Sequence, residues 1–82
     1  MKITVTSNRG FPMEATAKVF SPKNWLYLDF GKGSKVCIDL ATSEILKGQS
    51  HCAPVMAWGE VARIVKAWNE AHKADFLPSD YN

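Results

Sequence analysis

Cys37, His51, Cys52 and His72 are the side chains in this sequence suited to metal binding or thiol chemistry. A structural zinc site usually draws its ligands in pairs two to four residues apart. Here His51 and Cys52 are adjacent while Cys37 and His72 each stand alone, so the spacing reads as two free thiols and two ordinary imidazoles. His72 falls near the expected end of a helix, where a cation suits the dipole. A Cys–His nucleophile needs a base in reach of its thiolate. Cys52 is expected just ahead of a helix, where a thiol pKa falls, but adjacent side chains diverge and nothing in the order brings His72 to it. Asp29 and Asp39 fall on strands expected to be neighbours, and close carboxylates can divide acid and base roles. Lys32 and Lys35 nearby favour a solvated, charge-balanced surface instead. The glycines of Phe30-Gly31-Lys32-Gly33-Ser34-Lys35 lack Walker spacing and precede a strand pattern rather than a helix, so they read as a hairpin turn and not a phosphate cradle. The expectation is a protein that is not an enzyme and holds no cofactor or metal.

The aromatic residues say more. Phe20, Trp25 and Tyr27 fall at alternate positions of two successive strand patterns, on the side opposite the aliphatic residues, with Lys2, Thr4, Thr16, Lys18, Lys35 and Cys37. Three readings compete for that face. Cross-strand aromatic packing stiffens a small sheet by about 0.2–1 kcal/mol per pair. Trp and Tyr also anchor protein interfaces, and aromatics rimmed by lysine stack unpaired bases. The small net charge and the absence of an RNP-like sequence place nucleic acid last. The candidate contact residues are Phe20, Trp25, Tyr27, Lys18 and Lys35, with the helix side around Arg63, Lys66 and Glu70 as a second surface.

Four segments with a period of two must position these residues: Lys2 to Thr6, Met13 to Phe20, Trp25 to Phe30 and Lys35 to Leu40. Ser7 to Pro12, Ser21 to Asn24 and the glycine pair supply turns. Short connections favour antiparallel neighbours, which predicts a four-stranded meander. Its aliphatic face needs a cover. Val61, Ile64, Val65, Trp68 and Ala71 recur at helical spacing, with Trp58 extending the stripe backwards, Pro54 in a first turn and Glu60, Arg63, Lys66, Glu70 and Lys73 on the polar side. The predicted helix runs from about Val55 to Lys73, with Gly59 a weak point and a true start beyond it as the alternative. Phe76 and Leu77 are expected to fold back before Pro78. Glu44-Ile45-Leu46 reads as a short fifth strand or a 3₁₀ turn. The fold class is thus α+β in the order ββββα: one domain over 1–82, with sheet at 1–40, connection at 41–54, helix and fold-back at 55–77 and a tail at 78–82.

Composition bounds the function classes. Of 82 residues, 46% are hydrophobic and 11% aromatic, which excludes a disordered tail. No apolar run approaches a membrane span, and Met1-Lys2-Ile3-Thr4-Val5 has no secretory pattern. With two cysteines, this predicts a reducing, cytoplasmic setting without membrane contact. Ten basic and eight acidic residues give a net charge of +2, too little to demand nucleic acid. Seven basic and four acidic side chains fall in residues 1–50 against three and four in 51–82, so the sheet half is mildly positive.

Ser43-Glu44-Ile45-Leu46-Lys47-Gly48, followed by the run Ala62 to Lys73 with Trp68 and His72 near its end, resembles a family of short bacterial proteins found in operons like toxin–antitoxin pairs. Ser21-Pro22-Lys23-Asn24 stands where that family has a Pro-His-rich strand start. In size and style the chain is also similar to phage and mobile-element accessory proteins, including anti-CRISPR inhibitors. That likeness implies a compact module that blocks a bacterial defence complex by occupying its surface. The expected partner is therefore a bacterial protein or ribonucleoprotein complex, bound by a monomer or homodimer. A toxin–antitoxin-like or RNA-binding regulator is the alternative.

Overall fold

A computed structural model describes residues 1–71. His72, Lys73 and the fold-back expected at Phe76 and Leu77 lie outside the described residues. The chain forms β1 (Lys2–Thr6), β2 (Pro12–Phe20), a 3₁₀ turn (Ser21–Lys23), β3 (Trp25–Gly31), β4 (Ser34–Asp39), β5 (Glu44–Ile45), a second 3₁₀ turn (Lys47–Gln49) and α1 (Glu60–Ala71). The architecture is α+β. Its antiparallel sheet runs in chain order, β1-β2-β3-β4-β5, as short connections require.

The turns form where the sequence supplies their chemistry. Pro22 opens the first 3₁₀ turn, and Asn24 ends it in the left-handed region at φ 57°, which Asn tolerates. Gly31, Lys32 and Gly33 all take positive φ at the β3–β4 hairpin, so the glycine pair is a turn. Asp39 Oδ1 accepts the Ala41 N–H at 2.9 Å and starts the turn into β5.

The sheet has five strands rather than the four expected. Two residues are too few to show a period, yet Ile45 and Glu44 pair with Ile38 and Asp39. Both alternatives for this stretch occur in succession, since the 3₁₀ turn follows β5 directly. The edge of β4 is then taken up again by His51, whose N–H donates to the Lys35 carbonyl and whose carbonyl accepts the Lys35 N–H, at 2.9 and 2.8 Å. Between these two pairings the Ser50 hydroxyl fills the gap. It accepts the Cys37 N–H at 3.0 Å and donates to the Leu46 carbonyl at 2.9 Å.

Residues 51–57 form a strap from the edge of β4 to the edge of β1. Ser34 Oγ donates to the Cys52 carbonyl, Asn8 N–H to Val55, and Ala57 N–H to Thr6. The helix therefore begins at Glu60, not near Val55. Gly59 sits at φ +85°, which no helical residue adopts, and the residues before it are extended against β1. Pro54 is consequently not in a first helical turn, and Trp58 is not on the buried stripe. Cys52 lies eight residues ahead of the helix, away from its N-terminal dipole.

The core joins Val5, Ala15, Ala17, Leu26, Leu28, Val36, Ile38 and Leu40 to Ile64, Val65 and Trp68 of α1. Ala15 and Ala17 are the small residues of this sheet face and belong to the same core cluster as Ile64, Val65 and Trp68 of the helix. Glu60, expected on the polar side of the helix, is instead buried, with 8% of its surface exposed. Its Oε2 accepts the Thr6 N–H at 2.7 Å and the Arg63 guanidinium at 2.8 Å. Arg63 Nη2 also donates to the Thr4 carbonyl at 3.2 Å. Two helix side chains thus satisfy backbone groups along the outer edge of β1, which an uncovered edge strand would leave open to pairing.

Candidate functional site: an aromatic row on the outer sheet face

Strand register assembles the site. Phe20 lies opposite Trp25, Lys18 opposite Tyr27, and Thr16 opposite Asp29; across β3 and β4, Tyr27 meets Cys37 and Asp29 meets Lys35. All project away from the helix-covered face, because alternate residues of these strands fill the core. The tight turn through Pro22 and Asn24 sets the first of these pairs, and it is tied to the end of β4 by the Leu40 N–H donating to the Asn24 carbonyl at 3.0 Å.

The three aromatic rings form one row. Phe20 and Trp25 stand with centroids 6.3 Å apart and tilted by 42°, and Trp25 meets Tyr27 edge-on at 6.4 Å and 72°. Both separations lie in the range where the ring quadrupoles attract. Phe20 is exposed at the end of the row, while Trp25 and Tyr27 are half-buried. Beyond Tyr27 the face opens into a hollow of about 220 Å³ lined by Thr16, Lys18, Tyr27, Asp29 and Lys35. The row is therefore an apolar ridge running into a polar recess with two lysines at its margin.

Cys37 does not share that exposure. It was expected on the open face, but it is fully buried beside Tyr27. Burial raises the thiol pKa, the hydrogen bond with Tyr27 opposes that rise, and the Asp39 charge adds to it. The Tyr27 hydroxyl is pushed up as well, first by desolvation and then by Cys37. Both shifts favour the neutral form, and the buried Cys37 thiol packs beside Tyr27. Cys52 is exposed and far along the chain from Cys37, and both thiols are free.

The other candidate chemistry does not assemble. Asp29 Oδ1 accepts the Gly31 N–H at 2.8 Å and Asp39 caps its own turn, while register puts them at opposite ends of β3 and β4. They form no carboxylate pair. Among the described residues no three His, Cys, Asp or Glu side chains gather where they could hold a metal ion. No helix among them is long and apolar enough to cross a membrane.

Arg63 and Lys66 belong to the helix side of the molecule, apart from the aromatic row. Arg63 is held by Glu60 and the Thr4 carbonyl, whereas Lys66 is exposed. Sequence reasoning missed the role of Glu60, the bridging hydroxyl of Ser50 and the exposure of Trp58. The signal for the last was present: Pro54 and Gly59 bracket a stretch too short to hold a helix. Comparison of the chain with known proteins finds no matching family model, no matching curated protein and no matching solved structure.

Proposed function

We propose that this chain is a non-enzymatic protein-binding module whose aromatic row, Phe20, Trp25 and Tyr27 with Lys18 and Lys35 beside it, docks on a bacterial protein or ribonucleoprotein complex. The observation that carries this reading is the row itself: three rings, each next to the one before it, on the sheet face that the helix leaves uncovered. Aromatic residues of this kind anchor interfaces because they bury large areas at small entropic cost. The proposed consequence of docking is steric: a small domain seated on a larger machine blocks what that surface otherwise binds. The format shared with phage inhibitors of defence complexes makes such a complex the first target to test.

Lys18 lies directly opposite Tyr27 in the register, and this arrangement favours a second reading, in which unpaired bases of RNA stack on the row. Affinity capture of the tagged protein from a bacterial lysate, with and without nuclease, separates the two. A defined protein complex that survives nuclease supports the module, and retention lost with nuclease supports RNA binding. In the capture experiment, Trp25→Ala with Tyr27→Ala is expected to abolish retention while the circular dichroism of the fold is unchanged. Retention at full strength by the double variant would refute use of this face.

A further inference from the structure

Among the described residues the most exposed large apolar side chain lies elsewhere. Trp58 is 102% exposed, at the corner where the strap ends and Gly59 turns the chain into α1. Beside it are Val55 at 65% and Ile45 at 37% exposure. Trp58 forms one wall of an open hollow of about 530 Å³ that runs from Ser43 and Ile45 on the β5 side to Val61 and Ala62 in the first turn of the helix. None of the ten residues lining it is ionisable. Solvent-facing apolar surface gathered around a projecting indole marks an interaction site.

We propose that this face is the two-fold interface of a homodimer, with Trp58 of each copy seated in the hollow of the other. The choice of a second copy rests on the shape and charge of the patch. A two-fold interface needs one patch that is complementary to itself, and here a projecting ring and a recess lie side by side on the same face. In such an interface each side chain near the axis meets its own kind, so charges there repel. This patch carries none, and it offers nothing to steer a charged partner. The area required is modest. A stable dimer buries about 600–1,000 Å² per copy, and about 600 Å² is near a ninth of the 5498 Å² surface. Trp58 alone supplies about 200 Å².

Sedimentation equilibrium on the full chain tests this directly. The unsubstituted protein is expected to be dimeric at tens of micromolar. Trp58→Ser is expected to weaken the dimer at least about 30-fold, as loss of a central aromatic anchor does. Val55→Lys puts two like charges into the shared hollow and should act in the same direction. Both residues are exposed, so the circular dichroism and melting temperature of the monomer should stay unchanged. Trp25→Ala with Tyr27→Ala should remain dimeric. A chain that is monomeric at all concentrations overturns the proposal, as does a dimer that persists in both Trp58→Ser and Val55→Lys. A dimer lost only in the aromatic-row variant would transfer self-association to the other face and overturn it too.

Discussion

The hydroxyl of Ser50 serves two backbone groups at once, the Cys37 N–H and the Leu46 carbonyl, at the one place where the 3₁₀ turn lifts the chain off the edge of β4. Without it the N–H of buried Cys37 would lose its partner, whereas the Leu46 carbonyl would still accept the Gln49 N–H at 3.0 Å. A buried donor left dry costs about 1–3 kcal/mol. Ser50→Ala is therefore expected to lower stability by about 1–3 kcal/mol in urea unfolding. Ser50→Thr keeps the hydroxyl and should recover part of that loss. At this scale the sequence was only partly legible. Alternation placed Phe20, Trp25 and Tyr27 on one face and the glycine pair in a turn, because both follow from local backbone geometry. It could not show that Ser50 would bridge a ladder, that Cys37 would be buried on the outer face, or that Glu60 would point inward, since each depends on segments distant in sequence.

Among the elements, the strands were the most readable and the helix start the least. Period-two patterns gave β1 its exact limits and β2, β3 and β4 theirs to within a residue. The apolar stripe from Val61 to Ala71 was correctly helical, but its backward extension through Trp58 followed spacing alone. Gly59 decides the boundary. At φ +85° it ends the strap and admits the first helical turn, whose Arg63 N–H donates back to the Gly59 carbonyl at 3.0 Å. A Cβ at this position would meet no atom within 4 Å, so substitution strains the backbone without a clash. Gly59→Ala is expected to cost about 1–2 kcal/mol, the left-handed penalty, read as a lower melting temperature with an unchanged helical signal. An unchanged melting temperature would mean that the strap relaxes freely around Trp58.

At the scale of the molecule, Glu60 links stability to acid through the contacts it makes between α1 and β1. The Arg63 hydrogen bond holds its carboxyl below the usual value, burial opposes this, and the Thr6 N–H and the Arg63 charge add to the lowering. The folded state thus favours the carboxylate. That contribution is complete above the ordinary carboxyl pKa of 4.5 and is lost as pH falls through the lower folded value. Glu60→Gln should destabilise the protein at neutral pH by about 1–3 kcal/mol. The gap between variant and unsubstituted protein should then narrow in denaturant titrations carried out below about pH 4.5. A gap that stays constant into acid would show that Glu60 acts through packing alone.

The closure of the β1 edge also sets an order in time. Thr4, Thr6 and Asn8 take partners from Ala57, Glu60, Arg63 and Val55, roughly fifty residues further along. During synthesis the first strand is made before the strap and helix, and its outer edge lacks these partners until the sequence past Arg63 has left the ribosome. The hairpins between β1 and β4 are local and can form before then, whereas the strap and helix close a loop of more than about fifty residues and join the sheet later. The nascent sheet passes through an interval with one edge open to any extended chain nearby.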